Sequence, residues 1–253
     1  MKFRLLLSYT FLSLILVIGV IPNSVAIKYE IGVDDGDEFI WRCDVCDKDQ
    51  MEKIFGNKWE TSMFEDLEQG TRMRWIIKKT DDDEKNYSEE TKENETVLRI
   101  VFNKWRWLSE DVWGNEDDED EITHFKDPED YPEDLIFANF APFWLPLPFG
   151  EYLKEMDLYE GYTIDSRVLL SITCEIEKND LEGDYPTEYI KILALYNEQG
   201  ILKSYKLYIK DHQVIIDISL ESFLNQDIYL LPAITATLYV GLIYIIYKKI
   251  LKD

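Results

Sequence analysis

Cys43 and Cys46 stand in the stretch WRCDVCDKD (41–49), at the C-x-x-C spacing used by dithiol redox sites and by half of many zinc sites. A zinc ribbon needs four ligands, and the chain offers 3 cysteines and 2 histidines in all. A thioredoxin-type site places its pair at a helix start, whereas FIWRCDV (39–45) alternates as a strand, with Phe39, Trp41, Cys43 and Val45 on one face. Residues three apart in a continuing strand lie about 10 Å apart, too far for a disulfide. Cys174 shares the apolar face of its own strand, SITCEI. The sequence therefore favours a Cys43–Cys174 bridge, with Cys46–Cys174 next and three free thiols third.

The remaining chemistry is thin. His124 lies in an acidic run and His212 in a turn, and there is no Gly-x-Ser-x-Gly or phosphate-binding loop. Carboxylates are too abundant to single out a glycosidase pair, so the sequence points away from an enzyme and implies no cofactor. Asn115 to Glu121 has the oxygen density calcium favours, with Asp117, Asp118 and Asp120 as weak ligand candidates. It departs from the EF-hand pattern, since Asp120 takes the glycine place and Lys126 the glutamate place; a solvated acidic loop is the default and no dedicated metal site is expected. Asn86 and Asn94 each open an N-glycosylation sequon. APFWLPLPF (141–149) gathers Phe143, Trp144, Leu147 and Phe149, a proline-rich apolar segment suited to capping a core, contacting a partner or lining a lipid-sized pocket, in that order. In NKWRWL (103–108), alternation assigns Trp105 and Trp107 to one face and the cations to the other.

These residues need a frame. Residues 1–26 read as a signal peptide, with Lys2 and Arg4 ahead of an apolar run and Ser24-Val25-Ala26 at the cleavage position; an uncleaved N-terminal anchor is the alternative. Residues 228–247 are twenty without a charge, followed by Lys248 and Lys249, and read as a transmembrane helix with a cytoplasmic tail at 248–253. The implied arrangement is a single-pass protein of the cell membrane, with an extracytoplasmic domain at 27–227.

The chain has 27 basic and 51 acidic residues. Setting aside Lys2, Arg4, Lys248, Lys249, Lys252 and Asp253 leaves the domain near −28. Such a charge repels nucleic acid and suits solubility, a cation-rich medium or a cationic partner. With 46% hydrophobic and 14% aromatic residues, the domain can still build a core. The acids concentrate at 78–95 and 115–135, which read as long loops because charge resists burial. Residues 72–79 and 96–108 read as two strands across the first of these loops. Asp47 caps a short helix ended by Gly56, and EYLKEM forms another. Strands follow at 166–177, 187–196, 201–210 and 213–221, with Gly200 at a left-handed turn. The expected fold is mainly β (α+β), an antiparallel sheet with a few short helices.

IGVDDGDEFIW, LPLPFGEYL and LYNEQGILKSY resemble segments of uncharacterised archaeal membrane-anchored surface proteins. The matching positions are Gly32, Val33, Gly36, Asp37, Phe39 and Trp41, then Pro146 and Pro148, then Tyr196, Gly200 and Leu202. The resemblance touches about a tenth of the chain. It implies an anchored surface protein and carries over no catalytic residue. The hairpin-rich body is also similar to periplasmic lipoprotein-carrier folds, an analogy of fold alone. The expected function is a surface interaction or envelope-organising module that meets an unknown protein; the alternative is an anchored carrier or sensor for an apolar, lipid-like ligand.

Overall fold

The computed structural model describes residues 27–221 apart from 57–58, 61, 88–93, 110–111, 168, 182 and 184. The signal and anchor segments lie outside these residues. Among the described residues no helix is long and apolar enough to cross a membrane.

Nine strands form one antiparallel sheet: β1 (Glu38–Cys46), β2 (Arg72–Tyr87), β3 (Asn94–Leu108), β4 (Asp118–Phe125), β5 (Tyr162–Asp165), β6 (Ser171–Ile176), β7 (Ile190–Tyr196), β8 (Leu202–Ile209) and β9 (Val214–Leu220). Their order is β4-β3-β2-β1-β9-β8-β7-β6-β5. Two up-and-down meanders are thus joined edge to edge where the first strand pairs with the last. The period-two alternation of Ile190, Ile192, Ala194 and Tyr196, all buried, shows why one face collapses onto a core and the other stays wet. Helix α1 (Lys48–Phe55) starts where the Asp47 side chain accepts the Gln50 N–H, and buries Met51 and Ile54. Helix α2 (Phe149–Glu155) buries Phe149, Tyr152 and Leu153.

The two acidic runs are not simply loops. Residues 78–87 continue β2, and Asp118–Phe125 is the edge strand β4. The physical reason is cross-strand charge. Lys104 on β3 reaches Asp120 on β4 at 2.5 Å, and Arg99 on β3 reaches Glu121 at 3.1 Å and also pairs with Glu84 on β2. The backbone takes its ladder bonds while the acids stay at the surface, and a charged edge resists pairing with other sheets. Residues 27–33, whose IKYEIGV pattern reads as a short strand, form only a single bridge, Glu30 with Leu147.

Two of the sheet's register shifts change which of the singled-out side chains share a face. Between β2 and β3 the register shifts, so that Arg74 pairs with Trp105 and Arg72 with Leu108. Trp107 joins the main core cluster and donates its indole N–H to the Met63 carbonyl, while Trp105, also buried, is not part of that cluster and has the Arg74 guanidinium 4.7 Å from its ring. The shared face expected for these tryptophans is therefore lost to a bulge. The second irregularity lies between β1 and β9, where Cys43 pairs with Ile218 and Cys46 with Ile216.

The three segments that carry the resemblance meet at one end of the sheet. Leu147 exchanges both backbone bonds with Glu30, and the Leu145 N–H donates to the Gly200 carbonyl. A Cβ on Gly200, whose φ is +77°, would stand 2.1 Å from the Leu145 carbonyl oxygen. A Cβ on Gly32 would stand 2.6 Å from the Gln199 carbonyl oxygen, so both glycines permit close backbone contact.

Candidate functional site

The long connection from β4 to β5 crosses the core face, and its residues 137–149 make several aromatic contacts. Phe143, Trp144 and Phe149 are buried, and Leu147 is half-buried against the core. Phe143 packs on Trp41 and Trp75 with ring centroids 5.2 and 5.6 Å away, and Trp75 stacks on Phe102 at 4.0 Å. The segment is held by backbone pairing at both ends, through Leu202 N–H to the Phe143 carbonyl and through the Glu30–Leu147 bridge. The indole N–H groups of Trp75 and Trp144 are buried and meet no acceptor.

His124 fastens this segment to β4. Its Nε2 lies 3.0 Å from the Trp144 carbonyl oxygen, which can only accept, so Nε2 carries the proton. Nδ1, 2.8 Å from the Tyr131 hydroxyl, is then the acceptor. Burial pushes the His124 pKa down to about 4, with the Trp144 carbonyl opposing, and keeps the ring neutral. His124 was assigned to a loop from sequence; its burial on a strand could not be read from its acidic neighbours.

Upstream of this, Asn139 and Phe140 have consecutive positive φ values of 53° and 64°. That conformation costs about 1–2 kcal/mol for each residue bearing a side chain. Two tyrosines hold it: Tyr205 donates to the Asn139 carbonyl and Tyr162 to the Phe140 carbonyl, each at 3.1 Å. Apolar hollows flank the turn. One, of about 280 Å³, is lined by Met63, Ile122, His124, Leu135, Phe137 and Phe143 among others. The other, of about 220 Å³, lies among Met51, Phe55, Trp59, Phe64, Phe140 and Leu207. Asn139 borders both.

A further concavity, of about 690 Å³, is polar. Glu95, Asp127, Glu129, Asp130 and Glu155 line it against a single Lys126, with Tyr29 bonded to Glu155. Burial and the nearby Glu95 and Asp127 push the Asp130 carboxyl up to about 6.

Asp117, Asp118 and Asp120 are not brought together as ligands. Asp117 accepts the Arg106 backbone N–H at 2.6 Å, Asp118 accepts the Glu119 N–H, and Asp120 is held by Lys104. Among the described residues no group of three or more His, Cys, Asp or Glu side chains is arranged to hold a metal ion. Asn86 and Asn94 lie on β2 and β3 beside the connection at 88–93, rather than inside a long loop.

The expected Cys43–Cys174 bridge is overturned, and Cys46–Cys174 with it. Three strands separate β1 from β6, so four spacings of about 4.8 Å place the cysteines about 19 Å apart, against a limit of about 7 Å. All three cysteines are free. Alternation placed Cys43 and Cys174 on the same face of one sheet, but it could not show how many strands lay between them. No protein-family model, curated protein or solved structure matches the chain.

Proposed function

We propose that residues 27–227 form an extracytoplasmic interaction module, anchored through a transmembrane helix at 228–247 and addressed to a cationic partner. The observation that carries this reading is the filled core. Phe143, Trp144 and Phe149, the apolar residues best suited to a ligand chamber, are at most 3% exposed and packed on the sheet. What the module offers to solution is acid: the 690 Å³ concavity sets five carboxylates against one lysine. A surface of one sign steers an oppositely charged partner, and the attraction falls with salt.

A second reading, a carrier or sensor for an apolar lipid-like ligand, is favoured by the two hollows beside Asn139 and Phe140. Each is below the roughly 300 Å³ at which small-molecule sites begin. A chain-like ligand would need the turn between them to move. Native recovery of the full chain from detergent-solubilised membranes, with mass spectrometry of proteins and lipids, separates the readings. A basic protein partner retained at low salt and lost at high salt supports the module. Stoichiometric lipid without a protein partner would replace it with the carrier.

A further inference from the structure

The strand bulge in β1 gives Cys43 and Cys46 a relation that their spacing conceals. Cys43 is opposite Ile218 and Cys46 is opposite Ile216, with Asp44 as the extra residue between them. Both cysteines therefore face the same side of the sheet as Ile216 and Ile218, which are fully buried. Their backbones are separated by the two-residue rise of β9, about 7 Å, instead of the roughly 10 Å of an unbroken strand. That lies at the outer edge of disulfide geometry. The Cys43 thiol donates to the Val45 carbonyl at 3.2 Å and the Cys46 thiol to the Leu67 carbonyl at 3.5 Å, and each thiol shifts the pKa of the other. Cys43 is sealed in the core, while Cys46 is half-buried, immediately before the Asp47 cap of α1.

We propose that Cys43 and Cys46 form a dithiol–disulfide exchange site for small-molecule disulfides, with Cys46 as the attacking and Cys43 as the resolving thiol. Cys46 gives up its proton and its thiolate attacks one sulfur of the substrate, breaking the substrate S–S bond. The first substrate half leaves as a thiolate and takes up a proton, and a mixed disulfide remains on Cys46. The Cys43 sulfur then attacks the Cys46 sulfur, and the Cys43 proton passes to the second departing thiolate. Two protein thiols are oxidised to one disulfide, and one substrate disulfide is reduced to two thiols.

The division of roles follows from the surroundings. The neighbouring Cys43 side chain, with Lys48 nearby, lowers the Cys46 pKa against the opposing effect of burial. The Cys46 side chain, burial and the Asp44 and Asp217 charges together push the Cys43 thiol well up. Cys174 stands apart, with burial raising its thiol to about 11.

The test uses the reduced full chain treated with glutathione disulfide, acid-quenched, alkylated and mapped without reduction. The expected product is a Cys43–Cys46 linkage with two equivalents of glutathione released and Cys174 unmodified. Cys43→Ser should accumulate a glutathione adduct on Cys46, and Cys46→Ser should accumulate none on Cys43. Far-UV circular dichroism checks that each variant is folded. If Cys43→Ser does not fold, the wild-type linkage and the silent Cys46→Ser variant, whose site is half-buried, decide alone. Alkylatable Cys43 and Cys46 in folded wild type under excess glutathione disulfide would overturn the site, and an adduct on Cys43 in Cys46→Ser would overturn the roles.

Discussion

Protonating His124 would place a donor on Nδ1, where the Tyr131 hydroxyl now donates, and a charge in the core. The folded pKa is about 4 against 6.5 for the free side chain, so the unfolded chain binds the proton more readily between those values. The stabilisation is complete above pH 6.5 and is lost as pH falls toward 4, a difference of about 3 kcal/mol. Asp130 acts in the opposite direction. Its carboxyl is raised to about 6 from 3.8, so its own contribution is present below 3.8 and is lost as pH rises through 6. Urea denaturation at pH 7.5 and 4.5 should show a net loss in wild type and a smaller one in His124→Gln. An unchanged loss in that variant would mean that other groups control the acid limb. Trp144→Ala and Phe149→Ala should each cost about 3–5 kcal/mol in the same assay, because both side chains are buried in the core. Destabilisation below 1 kcal/mol would show that the segment covers the core loosely and would move weight to the carrier reading.

The edge strand β4 shows how charge can mislead a reading of pattern. DEDEITHF carries four consecutive acids, and no burial periodicity marks it as a strand. Its partners do: Lys104 and Arg99, themselves read as part of a strand, supply the opposing charges from β3. Exposed pairs of this kind contribute about 0.2–1 kcal/mol each. Replacing Asp120 and Glu121 with Asn and Gln should therefore lower the melting temperature by only a few degrees, and less at high salt. Calcium should shift wild type and variant alike by nothing measurable; a calcium-linked rise confined to wild type would show a metal site among these acids. Strands with clean alternation were legible: β7, β8 and β9 lie within the stretches that apolar periodicity marked, and Asp47 and Gly56 bound α1 as cap chemistry implied. Bulges were not legible, because one inserted residue leaves composition and local propensity unchanged while reversing every side chain beyond it. That single effect separated the faces of Trp105 and Trp107 and brought Cys46 beside Cys43. At the β7–β8 turn the signal was stronger. Gly200→Ala should destabilise by more than 1 kcal/mol, since a positive φ and the Leu145 carbonyl both oppose a side chain. Thermal denaturation within a degree of wild type would show that the turn can relax away from Leu145.

The first and last strands meet in the middle of the sheet, with Trp41 opposite Leu220. Because they are antiparallel, the chain enters β1 and leaves β9 at the same end of the molecule. Glu30 and Gly32, which precede β1, pack there against Leu147 and Gln199. This bears on the anchoring proposal in a way that neither terminal segment does alone. A C-terminal helix at 228–247 and an uncleaved segment at 1–26 would both approach the domain from one side, so a retained N-terminal segment and the C-terminal anchor can occupy a single bilayer without threading the sheet. Protease added to intact cells expressing the chain with a tag after Asp253 should remove 27–227 and leave the tag protected; a digested tag would reject the orientation. N-terminal sequencing of the mature protein then separates the two forms. A start at Ile27 means that 228–247 holds the domain alone, and removing 228–253 should release it into the medium. A start at Met1 means that the same truncation should leave the domain membrane-bound. Release despite an intact residue 1–26 segment would show that the N-terminal segment does not anchor it.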